Sequence, residues 1–280
     1  MRGEFLDLAG HRLYYYAAGT RGAGEPVLFL HGFPTSSYLW NDVVRLMPAG
    51  YRLIVLDQLG FGRSDRPDGA AVTVSAHAQR ALAVLDALQV PEVCLVGHDL
   101  GGAVAQWIAA YAPARVTRMA LVSSVGLDAW PRWRTRAARA LLGAARRLPA
   151  PLLAGEAYAS LLPGFADRDE GRHALDHFLR PFAQTDGRDA LLAHLAEQRP
   201  DETATLPLDS VRAPTAIVHG AGDPFVPVAL SRRLQAAIPG ATLEVVGGGA
   251  HFLPLDAPDR VAAAVARLLT RVSGGWSRAE

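Results

Sequence analysis

A turn of the kind that presents a nucleophile is predicted around Asp99. The segment Gly97-His98-Asp99-Leu100-Gly101 follows the apolar run EVCLV and precedes a stretch of helical composition. In a G-x-nucleophile-x-G turn the central residue has a positive φ, and the glycines two positions away let the strand and helix backbones approach. The spacing also fits an ordinary strand-end turn, in which aspartate is chosen because it tolerates a left-handed backbone.

Two further strand ends supply an acid and a base. Asp223 follows the apolar run TAIVHG, and His251 follows ATLEVVGGGA. The carboxyl ends of parallel strands share one crevice, so residues far apart in sequence can meet there. We therefore predict Asp99, Asp223 and His251 as the catalytic residues, with Asp128, just beyond another predicted strand, as a reserve acid.

Backbone donors for an oxyanion are predicted at two places. The segment His31-Gly32-Phe33-Pro34 ends the apolar run VLFLHG, which places the Phe33 N–H beside the turn at Asp99. Together with the Leu100 N–H, directly after the nucleophile, it would form an oxyanion hole. A plain strand-to-helix turn is the alternative interpretation of this segment.

The aspartate at the nucleophile position determines the predicted mechanism. A carboxyl group with its ordinary pKa of about 3.9 is already ionised at neutral pH, whereas a serine must first lose a proton. Asp99 can therefore attack an sp³ carbon directly and form an alkyl-enzyme ester. His251, oriented by Asp223, would then act as general base for the water that hydrolyses the ester.

The elements that must position these residues alternate between strand and helix. EFLDLAG and HRLYYYAAG predict a hairpin, and the apolar runs that follow alternate with helical segments. This alternation predicts an α/β fold with a mostly parallel central sheet and helices on both faces. We predict a core domain formed by residues 1–126 and 213–280.

Residues 127–212 are predicted to form a helical lid inserted into this core. Strand alternation stops there, and seven prolines interrupt a helical composition. At the start of the lid, apolar residues at steps of three and four predict one helix with one apolar face: Trp133, Ala137, Leu141, Ala144 and Leu148. Six arginines between positions 129 and 150 could attract an anionic substrate or partner, or simply form a solvated face.

Composition narrows the class of protein. The 280 residues include 28 basic and 27 acidic ones, and a net charge of +1 gives no electrostatic argument for binding nucleic acid. The single cysteine, Cys94, can form neither an internal disulfide nor a cysteine-based metal site. With no signal-like N-terminus and no apolar run of about 18 residues, we expect a cytoplasmic protein with no membrane partner.

Five segments carry a resemblance to a known family: HGFPTSSYLW, DQLGFGRSDRP, VGHDLGGAVA, GAGD and HFLPLDAPDRV. They resemble the α/β-hydrolase superfamily, specifically the branch with an aspartate nucleophile that includes epoxide hydrolases and haloalkane dehalogenases. The resemblance covers about residues 26–125 and 214–265, and the lid shows no match. It implies the α/β-hydrolase fold, hydrolysis with no metal or organic cofactor, and a small to medium, largely apolar substrate between lid and core. Oligomeric state is not indicated.

The resemblance leaves haloalkane dehalogenation open as an alternative activity. In dehalogenases of this branch the halide is held by side-chain donors, usually including a tryptophan after the nucleophile. Leu100 and Phe33 occupy the two familiar positions here, and neither side chain donates a hydrogen bond. Trp130 or Trp133 of the lid would have to donate the hydrogen bonds to the halide. Both are candidate pocket residues together with His31 and His98, although each of these histidines lies next to a glycine of its motif.

Epoxide hydrolysis to a diol is the favoured activity. Epoxide hydrolases protonate the leaving alkoxide from a pair of lid tyrosines, whereas this lid contains only Tyr158. Tyr158 is therefore the candidate proton donor, with His173, His177 or His194 as a possible partner. A third alternative is a biosynthetic enzyme or a ligand receptor in which Asp99 is not a covalent nucleophile.

Overall fold

The computed structural model describes residues 3–19, 24–67, 69–129 and 133–270. The described residues contain an eight-stranded sheet in the order β1-β2-β4-β3-β5-β6-β7-β8. The strands are β1 (Gly3–Leu8), β2 (His11–Gly19), β3 (Pro26–Leu30), β4 (Arg52–Leu56), β5 (Val93–His98), β6 (Val116–Val122), β7 (Thr215–Gly220) and β8 (Thr242–Val246).

The sheet is mostly parallel. Strand β2 pairs antiparallel with β1 and with β4, and the pairs from β4 through β3 to β8 are parallel. The carboxyl ends of β3, β5, β7 and β8 therefore point to the same edge, where the predicted catalytic segments follow. These pairings confirm the predicted α/β fold and its opening hairpin.

Helices cover both faces of the sheet. The strands are apolar at successive positions because side chains on both faces are buried. Along β3, Leu28 and Leu30 belong to one buried cluster, and Val27 and Phe29 belong to the other, because successive side chains of a strand point to opposite faces. The core helices are α1 (Asn41–Leu46), α2 (Val74–Ala87), α3 (Leu100–Tyr111), α10 (Val228–Ala237), α11 (Leu253–Asp256) and α12 (Pro258–Thr270). Helices α2, α3 and α10 pack on the first cluster, and α1 and α12 pack on the second.

The predicted lid segment is helical between β6 and β7. Its helices are α4 (Trp133–Ala140), α5 (Leu142–Ala145), α6 (Ala150–Leu161), α7 (Arg168–Leu179), α8 (Thr185–Glu197) and α9 (Asp201–Ala204). A division of the chain at 126/127 and at 212/213 stays a prediction. In the described part of the chain, every helix is too short or too polar to cross a membrane.

The prediction of one continuous helix through residue 148 is wrong. The helix ends at Ala140, and the Leu141 N–H is shared between the carbonyl oxygens of Ala137 and Ala138. Leu141, on the predicted apolar face, is 63% exposed. Alanine and arginine side chains bury little apolar surface here, so packing does not hold a longer helix together. The side chain of Trp133 lies outside the described part.

Two side chains of the lid segment bind the core backbone. Glu202 of α9 accepts hydrogen bonds from the backbone N–H groups of Val74 (2.7 Å) and Ser75 (3.1 Å), at the start of α2. His194 of α8 lies with Nε2 3.1 Å from the Leu59 carbonyl oxygen. A carboxylate at the amino end of a helix satisfies free N–H groups and interacts favourably with the helix dipole. The carboxyl-terminal half of the predicted lid segment thus contacts the core backbone directly.

Candidate active site

Asp99 lies on a sharp turn between β5 and α3. Its backbone has φ 49° and ψ −115°, which non-glycine residues rarely adopt. A Cβ on Gly97 would collide with the backbone of Gly101, and a Cβ on Gly101 would collide with the carbonyl of Leu30. The glycines are therefore required by the close approach of strand and helix, as the G-x-nucleophile-x-G spacing predicts.

The carboxylate of Asp99 accepts hydrogen bonds from both predicted oxyanion-hole donors. The Phe33 N–H donates to Asp99 Oδ2 at 3.1 Å, and the Leu100 N–H donates to the same carboxylate. A Cβ on Gly32 would lie 2.6 Å from Asp99 Cβ and 2.9 Å from Asp99 Oδ2. The loop after β3 thus closes tightly on Asp99, and only glycine fits at position 32.

His251 and Asp223 form the predicted base and acid pair. His251 Nδ1 donates to Asp223 Oδ2 at 2.8 Å, and both side chains are buried. The other oxygen of Asp223 accepts from the backbone N–H groups of Phe225 (2.8 Å) and Val226 (2.9 Å). Because Nδ1 carries the proton in this bond, Nε2 of a neutral His251 is left to take a proton from water.

Asp99 and His251 are close enough for the charge of each to shift the pKa of the other. Burial raises the pKa of Asp99 above its ordinary value, while the charge of His251 and the two backbone donors oppose this shift. Burial alone would lower the pKa of His251, but the charge and hydrogen bond of Asp223 raise it above its ordinary value, and Asp99 adds to this effect. The pKa of Asp223 is lowered, because the charge and hydrogen bond of His251 outweigh burial.

Asp128, the reserve acid, lies away from this pair. Its side chain is 68% exposed and forms an ion pair with Arg233 at 2.6 Å. That ion pair lowers the pKa of Asp128, first through the hydrogen bond and then through the charge of Arg233. The structure brings Asp223, and not Asp128, to His251.

His31 and His98 are fully buried and hold backbone. His31 Nε2 accepts from the Gln58 N–H at 3.0 Å, so its Nδ1 carries the proton and donates to the Gly32 carbonyl at 2.9 Å. His98 Nε2 donates to the carbonyl oxygen of His251 at 2.9 Å, because a carbonyl can only accept. With no exposed surface, neither ring lines a pocket, which corrects that expectation.

Burial keeps both of these histidines neutral. It lowers the pKa of His31, and it lowers the pKa of His98 to about 3. Removing a charge from water is costly unless a partner compensates. Both rings are therefore uncharged and hold nearby backbone by hydrogen bonds, His31 at Gly32 and Gln58, and His98 at His251.

The lid candidates are spread over several places. Trp130 lies outside the described residues. Tyr158 is half-buried on α6 and packs against the cluster that contains Phe252. His173 and His177 lie on the exposed side of α7, and His177 stacks on the ring of Tyr38 at 4.2 Å. His194 is buried, and its two ring nitrogens face the carbonyl oxygens of Ala190 and Leu59, to one of which the neutral ring donates. The described structure does not bring a lid histidine to Tyr158 as a partner.

Sequence reasoning missed two residues that hold the site together. Gln58 donates its backbone N–H to His31 Nε2 and its side-chain amide to the His31 carbonyl at 2.7 Å. Asp256 accepts the Ala250 N–H at 2.8 Å, directly before His251. An acid five positions after the predicted base, inside HFLPLDAPDRV, was the signal available for Asp256.

A metal site is not formed by the described residues, which contain no group of three or more histidine, cysteine and carboxylate side chains able to hold one ion. The groups brought together around Asp99 are one carboxylate, two backbone donors and a histidine with its acid. This set can perform nucleophilic attack, oxyanion stabilisation and general base catalysis.

Comparison with known proteins identifies a family and finds relatives that match part of this chain. The sequence profile of the alpha/beta hydrolase fold family matches residues 25–258. The chain is 35% identical to the cis-3-alkyl-4-alkyloxetan-2-one decarboxylase of Shewanella oneidensis over 124 residues, which are 43% of this chain and 38% of that protein. It is 45% identical to an epoxide hydrolase of Caballeronia sordidicola over 83 residues, 29% of this chain and 25% of that one.

Among solved structures, an alpha/beta hydrolase fold protein from Burkholderia ambifaria is similar, with a TM-score of 0.85. The match covers 94% of this chain and 97% of that chain at 24% identity. At this identity the likeness concerns the fold, and it agrees with the sheet order described above.

Proposed function

Because this chain belongs to the alpha/beta hydrolase fold family, we propose that it is a hydrolase whose Asp99 attacks an sp³ carbon and forms an alkyl-enzyme ester. The preferred substrate is an epoxide, which is hydrolysed to a diol. The observation that carries the proposal is the hydrogen bond from the Phe33 N–H to Asp99 Oδ2 at 3.1 Å. In this arrangement the oxyanion-hole donors already hold an oxygen of the nucleophile itself.

That arrangement suits a carboxylate nucleophile in both steps. With Oδ2 held by the Phe33 N–H, Oδ1 is left to attack carbon. The new C–O bond forms as the epoxide C–O bond breaks, and the electron pair goes to the epoxide oxygen, which then takes a proton. Water next attacks the ester carbonyl carbon, and the negative charge develops on Oδ2, where the Phe33 N–H already points.

His251 is required in the second step. Its Nε2 takes the proton of the attacking water, and Asp223 stabilises the imidazolium that forms. Collapse of the tetrahedral intermediate breaks the bond between the Asp99 carbonyl carbon and Oδ1, which leaves with the diol. One oxygen of water remains in the carboxylate of Asp99, so every turnover exchanges an oxygen atom of the enzyme.

The side chains beside Asp99 favour an epoxide over a halide. Leu100 and Phe33 have no side-chain hydrogen-bond donor for a departing halide. An epoxide needs one proton for its alkoxide, for which Tyr158 is the proposed donor. The partial identity to an epoxide hydrolase agrees with this preference.

A strained lactone is the second candidate substrate. The partial identity to a protein named as an oxetan-2-one decarboxylase raises it, and the single lid tyrosine favours it. Attack of Asp99 on the sp³ carbon of an oxetan-2-one releases a carboxylate, which needs no proton donor. The two candidates therefore share the first step and differ in their need for Tyr158.

Trapping of the ester tests the proposal. The His251→Gln variant is incubated with styrene oxide, 1-bromobutane or a 4-alkyl-oxetan-2-one, and its intact mass is measured. We expect an adduct with the epoxide or the lactone, because glutamine cannot act as the base. The adduct should lie on the arginine-bounded peptide 81–115, at Asp99.

The matched control is the double variant Asp99→Ala, His251→Gln, which should give no adduct. An adduct with bromobutane alone would favour dehalogenation. Absence of any adduct, in a folded variant that still binds these compounds, would contradict covalent catalysis and favour a receptor or a non-covalent enzyme.

A further inference from the structure

One carboxylate joins the lid to the loop that carries His251. Asp256 Oδ2 accepts the backbone N–H of Ala250 at 2.8 Å, and Asp256 Oδ1 accepts the backbone N–H of Ala166 at 3.0 Å. Ala250 directly precedes His251, and Ala166 lies in the lid between a short 3-10 turn and α7. The same side chain therefore touches both segments.

The lid segment 164–166, called here the lid strap, also packs around the catalytic histidine. The Phe252 N–H donates to the Gly164 carbonyl at 3.1 Å, and the Phe252 ring stacks on Phe165 at 4.2 Å. A Cβ on Gly164 would collide with the ring of Phe225. The lid strap thus lies directly against Phe225 and Phe252, the two phenylalanine neighbours of His251.

Those two aromatic rings contact the imidazole. Phe225 meets the His251 ring edge-on at 5.1 Å, and Phe252 meets it edge-on at 5.0 Å. A shift of the lid strap would move one or both rings. Since interiors are closely packed, such a shift would also move the imidazole between them.

A carboxylate is the side chain that this junction requires. Each of its two oxygens accepts one N–H group, whereas an asparagine has one accepting oxygen and a donating NH₂ group. An asparagine would satisfy one of the two N–H groups and oppose the other. An alanine would leave both without their partner.

We propose that Asp256 is a positioning residue that couples docking of the lid strap to the placement of His251. The proposal rests on the proposed function, because it assigns the effect to hydrolysis of the Asp99 ester. Asp256 does not touch the reacting atoms. It acts through Ala250 and through the aromatic rings that the lid strap holds.

The charge of Asp256 provides a readout that separates this role from simple support of the fold. Asp223, Asp99 and Asp256 all favour the protonated form of His251. Positive charge on the neighbouring rings has the opposite effect, and those rings are His98 and His219. The other charged group acting on Asp256 itself is Asp167 of the lid. Removing the charge of Asp256 should therefore lower the pKa of His251.

The test uses the full chain and compares three variants. Asp256→Asn removes the charge and one acceptor, and Asp256→Glu keeps the charge and both acceptors but displaces them. Asp259→Asn is the matched control, because it removes one negative charge from an exposed position three residues away. Formation and hydrolysis of the ester are followed separately by rapid quench and intact mass.

We expect ester formation within about twofold of the wild-type rate in both Asp256 variants. Hydrolysis should slow by up to about 100-fold, because small misplacements of a catalytic group have effects of this size. The acid limb of hydrolysis should move to lower pH in Asp256→Asn and stay in place in Asp256→Glu. The control should behave as wild type in all three measurements.

Two results would overturn the proposal. One is hydrolysis by Asp256→Asn at the rate and with the pH midpoint of the control. The other is equal slowing of both steps with the pH midpoint unchanged, which indicates general loosening of the fold. If Asp256→Asn does not fold, Asp256→Glu decides alone, and hydrolysis at the wild-type rate in that variant contradicts the proposal.

A measurement without substrate separates this inference from the proposed function. The His251 ring is titrated by NMR in wild type and in Asp256→Asn, with His251→Gln used to assign its signal. A lower midpoint in Asp256→Asn together with faster amide exchange at Ala166 and Ala250 supports the coupling even if no epoxide or lactone forms an ester. An unchanged midpoint and unchanged exchange rates contradict it.

Discussion

Asp99 Oδ2 lies 3.1 Å from the backbone nitrogen of Phe33, so the proposed nucleophile itself accepts a hydrogen bond from a proposed oxyanion-hole donor. In a serine hydrolase this place is reserved for the carbonyl oxygen of the substrate. In the proposed mechanism, the oxygen that will carry the charge belongs to the enzyme before any substrate binds. The Phe33 N–H would then need no rearrangement between attack on carbon and hydrolysis of the ester.

Turnover in heavy-oxygen water should label Asp99. Water attacks the ester carbonyl carbon, so one of its oxygens stays in the carboxylate while the original oxygen leaves with the product. Under single-turnover conditions we expect unlabelled product and a gain of one heavy oxygen in peptide 81–115, measured by mass spectrometry. A labelled first product with an unlabelled peptide would show that water attacks the substrate directly.

Replacement of the acid should slow hydrolysis much more than formation of the ester. Asp223→Asn removes the charge that stabilises the His251 imidazolium, and a loss of about 10⁴-fold is typical of such a change. Asp128→Asn is the control, since Asp128 pairs with Arg233 at the surface. If Asp128→Asn instead abolished hydrolysis, the assignment of the acid would be wrong.

Hydrolysis of the ester should decline at low pH as His251 becomes protonated. The pKa of His251 is raised above its ordinary value, chiefly by Asp223 against the effect of burial, so protonation begins at a higher pH than in a free histidine. Asp99 is uncharged once esterified, and its contribution to this shift is then lost. The acid limb of hydrolysis should therefore lie at lower pH than the His251 titration of the free enzyme, which NMR and pre-steady-state rates can compare.

The fold should lose stability as the pH falls below about 6.5, the unperturbed value for histidine. Burial lowers the pKa of His194 to about 4 and that of His98 to about 3 in the folded chain. Between those values and 6.5 the unfolded chain binds more protons than the folded one, at about 1.4 kcal/mol per pH unit for each group. Urea unfolding at pH 7 and pH 5 should show the loss.

His194→Gln provides the comparison for this pH dependence. It removes one of the titrating groups, so its loss of unfolding free energy between pH 7 and pH 5 should be smaller than that of wild type. The His251 contribution has the opposite sign, because its raised pKa stabilises the fold at low pH and this contribution is lost as the pH rises. An identical pH dependence in His194→Gln and wild type would contradict the assignment of His194.

Tyr158 should matter for an epoxide and not for a lactone. Tyr158→Phe removes only the hydroxyl, so packing against the aromatic cluster is preserved. We expect slower ester formation from styrene oxide, by about 10²- to 10⁴-fold for the loss of an acid, with an unchanged rate from a 4-alkyl-oxetan-2-one. If wild type and Tyr158→Phe form the ester from styrene oxide at the same rate, Tyr158 is not the proton donor.

The sequence predicts the residues at the strand ends of the site because the signal for each is contained in a short stretch of neighbouring residues. Each of Asp99, Asp223 and His251 follows an apolar run and has a glycine within two positions, and a parallel sheet has one edge where such ends meet. The proposed oxyanion-hole donors, Phe33 and Leu100, lie beside strand ends of the same kind. These residues are positioned by backbone geometry, which leaves a pattern in the chain.

The lid could not be predicted to the same depth, because its residues are positioned by contacts distant in sequence. Asp256 bonds to Ala166 across 90 positions, and Glu202 bonds to Val74 across 128. The helix ends before Leu141 because the side chains around it bury little apolar surface. The periodicity of apolar residues does not indicate how much surface they bury. The same holds for His31 and His98. The sequence indicates the motifs that contain them, but not that both side chains are fully buried.

Gly32 restricts the site in a way that does not depend on the carboxylate of Asp99. A Cβ at position 32 would lie 2.6 Å from Asp99 Cβ and 2.7 Å from His98 Nδ1, as well as 2.9 Å from Asp99 Oδ2. The first two atoms would remain if residue 99 were shortened to serine or cysteine. Glycine at position 32 is therefore needed for any of these three residues at position 99, and its presence does not distinguish among them.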